Sequence, residues 1–133
     1  MADGFELSTL VSTTTLHELI NPQATLAAAR DAIRERANQD VRWGESNHPD
    51  LPAGVKHPCA FFGLPSAQAA QLACEDAFRR GTGSNAHILV EEVAEAIEAA
   101  TDSVRLRAEL VQVAGVALKW IEQIDRREEV AHG

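Results

Sequence analysis

Three glutamates close together on one helical segment, and a fourth on the next, hold the most informative chemistry in this chain. The first group is the string Glu91-Glu92-Val93-Ala94-Glu95; the second is Glu109-Leu110-Val111-Gln112. Spacings of four and three place Glu91 and Glu92 beside Glu95 on a helix surface. Like charges so placed repel by about 0.3 kcal/mol per pair when exposed. Partial burial raises that cost unless a cation neutralises them. Glu95 lies seven residues before Asp102 and Glu109 seven after it; Glu92 lies ten before and Gln112 ten after. A chain that reverses at Asp102 therefore sets Glu95 against Glu109 and Glu92 against Gln112. Packed helices stand roughly 8–10 Å apart, so the facing side chains converge on one or two hard cations. Oxygen-only ligands at this density suit Mg²⁺ or Mn²⁺. A di-iron carboxylate bundle would carry Glu-x-x-His pairs on its metal-binding helices; the two such spacings here, Glu45–His48 and Glu129–His132, lie outside both carboxylate strings.

The elements that must position these residues follow from apolar spacing and punctuation. Leu89, Val93, Ala96, Ile97 and Ala100 form a stripe on a helix predicted over Asn85–Ala100, capped by Ser84. Leu106, Leu110, Val113, Ala117, Trp120 and Ile124 form another on a helix from Val104 to about Glu128. Beside that stripe run Arg105, Glu109, Gln112, Val116 and Lys119. Thr101-Asp102-Ser103 supplies the turn and the cap between the two helices. Upstream, a helix over Ser66–Arg80 is stopped by Gly81-Thr82-Gly83. A further helix over Ala24–Asp40 follows an Asn21 cap with Pro22 at its first position, and presents Leu26, Ala29, Ile33 and Ala37 on one face. Between Trp43 and Ser66, four glycines and prolines before residue 55 and three after it argue against regular structure, and loops of such length are often functional. Residues 1–15, rich in Ser and Thr, read as a flexible N-terminal arm, leaving residues 16–133 as one all-α domain. The expected architecture is a four-helix unit built around an antiparallel metal-binding hairpin.

Composition narrows the function. A net charge of −8 in 133 residues argues against a nucleic-acid polymer as partner, because tracking phosphates takes a basic stripe. Neither a signal peptide nor a membrane span is evident, so no membrane role and a cytoplasmic location, in a bacterium or a phage-infected cell, are expected. Cys59 and Cys74 form no metal-ligand spacing and read as free thiols.

With these residues in place, the chain resembles the all-α nucleoside triphosphate pyrophosphohydrolases of the MazG and dCTP pyrophosphatase superfamily. The motif of that superfamily is EExxE followed on the next helix by ExxD, and the likeness covers roughly residues 85–121. A weaker similarity lies in Arg42-Trp43-Gly44-Glu45-Ser46-Asn47-His48-Pro49. The whole string looks most like compact phage MazG-like proteins, including the MazZ branch associated with guanine nucleotides. The resemblance implies cleavage of a (d)NTP to (d)NMP and pyrophosphate, with dGTP or GTP favoured and the nucleotide pool of phage replication as setting. It implies Mg²⁺ or Mn²⁺ held by Glu92, Glu95, Glu109 and Gln112, with Glu91 as catalytic base or second-metal ligand. Trp43, Asn47 and His48 would meet the base, and Lys119 the distal phosphates. Assembly as a homodimer or homotetramer is implied as well. One position departs from the pattern: Gln112 stands where the superfamily has aspartate. That neutral residue keeps open the alternative of a non-catalytic helical adaptor or regulator on a degenerate scaffold.

Overall fold

A computed structural model describes residues 22–132; the arm expected over residues 1–15 and the Asn21 cap lie outside them. The described residues are helical, without strands. In order they form α1 (Pro22–Trp43), α2 (Pro58–Phe61), α3 (Ala67–Arg79), α4 (Asn85–Glu98), a 3₁₀ turn (Ala99–Thr101) and α5 (Ser103–His132). The expected irregular stretch between Trp43 and Ser66 thus holds one short helix, α2, with Pro58 at its start. None of the described helices is long and apolar enough to cross a membrane.

The chain divides into two compact units. Among the described residues, one spans 49–117 and the other combines 22–48 with 118–132. In the first unit α4 packs mainly on α3 and also on α2. Cys59, Ala70 and Ala94 form its centre, with Leu64, Ala67 and Ile97 around them. The buried apolar side chains of the described residues are alanines and cysteines, together with Pro58. Small residues let helix backbones approach closely, but they bury little area per residue.

Local signals set the helix ends. The Ser66 hydroxyl accepts the Ala69 N–H at 3.1 Å, and the Ser84 hydroxyl accepts the His87 N–H at 3.3 Å, each satisfying a donor the helix itself leaves open. The α3 N-terminus gains a second acceptor from α4, because Glu98 Oε1 takes the Ala67 N–H at 2.9 Å. Gly81, at φ +78°, ends α3 in the left-handed region. Gly83 then passes directly under the Phe78 ring; a Cβ there would stand 2.3 Å from ring carbons. At the joint before α5, Asp102 Oδ1 accepts the N–H groups of Val104 at 3.1 Å and Arg105 at 3.3 Å.

Two expectations about apolar faces need correction. Leu110, assigned to the α5 core stripe, is 50% exposed, whereas its neighbour Glu109 is 4% exposed. The inward face of α5 in this unit is therefore centred on a carboxylate, about 100° round the helix from Leu110. In the second unit, Leu26 and Ile33 of α1 are exposed and Ala28 is the buried residue. There, Thr25 of α1 donates its hydroxyl hydrogen to Glu122 Oε1 of α5 at 2.8 Å.

Candidate metal centre

The reversal at Asp102 brings α4 and α5 together at their acidic residues. Glu92, Glu95 and Glu109 each offer a carboxylate oxygen, and the three oxygens lie within 4.8 Å of one another. Glu95 and Glu109 are buried and Glu92 is half-buried. This is the convergence expected from the equal spacing on either side of the turn. Among the described residues no imidazole or thiolate belongs to the cluster, whose three donors are carboxylate oxygens.

Three carboxylates so close and so dry are unfavourable as anions. Burial pushes Glu95 up to about 8, and the charges of Glu92, Glu109 and Glu91 and a hydrogen bond with Glu109 add to it. Burial and the charges of Glu109 and Glu91 push Glu92 up to about 6. Glu95 Oε2 and Glu109 Oε2 are fully buried and find no hydrogen-bond partner among the described residues. An orphaned buried carboxylate oxygen costs free energy unless something positive meets it. A divalent cation fits that requirement: it neutralises the cluster, and hard oxygen donors are its preferred ligands. The trio can therefore hold a metal ion.

Glu91 stands apart from this set. Burial first, and then Glu91, raise the thiol of Cys74, on α3, to about 11. Glu91 precedes Glu92 by one residue, a rotation of about 100° on the helix, and its charge still raises both Glu92 and Glu95. Gln112 is half-buried in the same unit, two residues beyond the exposed Leu110. Trp43, Asn47, His48 and Lys119 belong to the other unit and are exposed. The Arg42 guanidinium lies 5.0 Å from the centre of the Trp43 ring, in cation–π range.

No protein-family model, curated protein or solved structure matches the chain. The reading of the site therefore stands on its geometry.

Several contacts of the helices around the site go beyond the sequence reading. Cys59 donates its thiol hydrogen to the carbonyl of Ala94 at 3.3 Å, tying α2 to the metal-facing helix one residue before Glu95. Glu98, unremarkable as a sequence residue, caps α3. The Ser84 hydroxyl meets His87 Nδ1 at 2.7 Å, which makes His87 part of the α4 cap. Arg79 and Arg80 both pair with Asp76 at the end of α3. The Cys59 and Glu98 contacts join different helices, whereas those of His87, Arg79 and Arg80 are local to one helix end.

Proposed function

We propose that the chain is a metal-dependent nucleoside triphosphate pyrophosphohydrolase of the all-α MazG-like type, cleaving (d)NTP to (d)NMP and pyrophosphate. One observation carries the reading: a three-glutamate cluster on adjacent helices, two of its members buried, with two carboxylate oxygens that find no hydrogen-bond partner among the described residues. Glu92, Glu95 and Glu109 would hold Mg²⁺ or Mn²⁺. When bound there, such an ion neutralises phosphate oxygens and lowers the pKa of water. The chain's own part is preorganisation. Glu95 and Glu109 are fixed by burial before any ligand arrives, and Cys59 and Glu98 anchor α4 on either side of Glu95. Little reorganisation is then needed as charge develops on the substrate.

In this reading Trp43 offers a stacking face, Asn47 and His48 offer edge hydrogen bonds to the base, and Lys119 a cation for the distal phosphates. Guanine nucleotides are the first substrates to try, in keeping with the MazZ-like look of the sequence and with a role in the nucleotide pool of a phage-infected cell. Glu91, the remaining carboxylate of the string, is the candidate for a second-metal ligand or for the base that orients water. Self-association into a homodimer or homotetramer is also proposed. Its support is the large apolar side chains left exposed on α5, Val104, Leu110 and Val111, while small residues fill the buried positions.

The test is release of pyrophosphate from a panel of ribo- and deoxyribonucleoside triphosphates with Mg²⁺ or Mn²⁺. Metal-dependent turnover with pyrophosphate and monophosphate in equal amounts is expected. Gln112, neutral in a position facing the carboxylates, favours the adaptor as the second reading, and absence of turnover on every nucleotide would establish it over the hydrolase.

A further inference from the structure

We infer that the chain carries a second ligand site, a cleft where α2 and the start of α3 meet α4, and that this cleft takes a small zwitterion with an aromatic body, the chemistry of a free aromatic α-amino acid. None of its lining residues belongs to the carboxylate trio, and all lie within the unit that spans 49–117. A turn in which the Val55 N–H donates to the Pro52 carbonyl at 3.4 Å leads the chain into Lys56 and His57. These two residues line a cleft of about 410 Å³ together with Leu64, Ser66 and Glu98. They also line a neighbouring cleft of about 480 Å³, which reaches Val55 and Phe61 and adds no further charged side chain. Each volume is in the range of small-molecule sites, roughly 300–1,000 Å³.

Charge selects the ligand. Lys56 and Glu98 line the same cleft with opposite signs, yet no ion pair joins them, and Lys56 pairs with no acid among the described residues. Glu98 gives Oε1 to the Ala67 N–H at 2.9 Å, which leaves its other oxygen for a donor. The Ser66 hydroxyl accepts the Ala69 N–H at 3.1 Å and keeps its own hydrogen to donate. A single exposed charge adds little to binding, because water competes for it. A simple anion drawn to Lys56 would also meet the like charge of Glu98, and a simple cation drawn to Glu98 would meet Lys56. A zwitterion brings a carboxylate to the ammonium and an ammonium to the carboxylate, and meets neither repulsion. The phosphates of a nucleotide would bring extra negative charge to a cleft that already holds a carboxylate. The apolar half follows from Phe61, which is 58% exposed and stands edge-on to Phe62, 49% exposed, with ring centres 4.9 Å apart. An exposed ring at the side of the cleft offers a stacking or edge contact to an aromatic body.

The experiment is an NMR titration of the metal-free full chain with L-phenylalanine. Phenylpropionate lacks the ammonium, phenethylamine lacks the carboxylate and L-alanine lacks the ring, so these three serve as comparisons. L-Phenylalanine should bind with a Kd of about 1 mM or tighter and move the amide signals of residues 53–66 and 98. Each comparison compound should bind about tenfold more weakly or worse. Lys56→Gln and Glu98→Gln should each weaken L-phenylalanine by about tenfold. Glutamine keeps an acceptor for the Ala67 N–H, so the α3 end survives in Glu98→Gln, and circular dichroism establishes that both variants are folded. No binding of L-phenylalanine at about 10 mM, or phenylpropionate binding as tightly, would overturn the inference. So would affinity unchanged in both folded variants, or tighter binding of guanosine monophosphate at the same amide signals. Every arm is free of metal and of turnover, so the hydrolase reading stands or falls separately.

Discussion

At the scale of single residues, Glu95 concentrates the conflict between burial and charge. In the folded chain it keeps its proton up to about pH 8, against an ordinary value of 4.5. Between those values the folded state binds a proton that the unfolded state has released, so stability falls as pH rises. Below pH 4.5 both states are protonated and the effect vanishes. In EDTA, the melting temperature of the metal-free chain should drop by about 10 °C between pH 5 and pH 8. Saturating Mg²⁺ should remove most of the drop, because the cation replaces the proton. Scanning calorimetry at both pH values, with and without metal, decides this; a flat metal-free profile would show that Glu95 is not held in the protonated form. Glu95→Gln keeps the shape of the side chain and removes its charge. That variant should melt higher than wild type at pH 8 in EDTA, should lose the Mg²⁺ response, and should turn over nucleotide at least a hundredfold more slowly. A variant that keeps full turnover would end the assignment of Glu95 as a ligand. The acidic cluster was legible in the sequence because helix period and turn position together decide which carboxylates meet. The nearness of Glu91 to Cys74 was not, because Cys74 sits on a different helix and sequence spacing carries no information about it.

At the scale of elements, the site depends on the register between α4 and α5, and the joint at Asp102 sets that register. Both N–H groups accepted by Asp102 Oδ1 would otherwise be open donors at the α5 N-terminus. Asp102→Ala should cost about 1 kcal/mol by urea denaturation, with a larger proportional loss of metal affinity if the hairpin shifts. Asp102→Asn, which keeps an acceptor oxygen, should recover most of the stability. Gly83 is a second control point. A methyl group there meets the Phe78 ring at 2.3 Å, so Gly83→Ala forces the ring or the connection to move. Destabilisation of about 1–3 kcal/mol is expected, and Phe78→Ala in the same chain should rescue it. The helix ends at Ser66, Ser84 and Asp102 could be read from sequence, since caps and glycine stops act locally. The inward face of α5 could not. An apolar stripe through Leu110 is the natural reading of hydrophobicity, but the structure buries Glu109 and exposes Leu110, because the carboxylates and not the leucines define what faces α4. Nor was α2 legible: four residues are too few for a helical period to show, and only Pro58 marks its start.

For the whole molecule, the balance of buried and exposed apolar groups bears on assembly. Alanine and cysteine fill the buried apolar positions with Pro58, while Val104, Leu110 and Val111 of α5 remain half or more exposed. Val104 and Val111 are seven residues apart, two helical turns, and so share a face. Gly115, four residues beyond Val111, has nothing within 4 Å of where its Cβ would be. A face that alternates valine with a residue lacking a side chain suits close approach of another helix, as in packed helix pairs where small residues admit large ones. Left to water, the same valines contribute nothing to stability, whereas burying each would contribute roughly 1.5–3 kcal/mol. Light scattering coupled to size exclusion should therefore find a dimer or larger species at micromolar concentration. Val104→Asp combined with Val111→Asp should shift it toward monomer, because two carboxylates would have to be buried at the contact. Circular dichroism should show the helical content of the double variant unchanged, since both side chains are exposed in the single chain. Turnover then separates two forms of the assembly. If the base-binding residues act within one chain, the folded monomer keeps its kcat and its KM. If the partner copy supplies them, KM rises at least tenfold while Mn²⁺ still binds to the glutamate trio, which lies wholly inside one unit of one chain. A wild-type chain that is monomeric throughout this concentration range would remove the assembly from the proposal and leave the metal centre untouched.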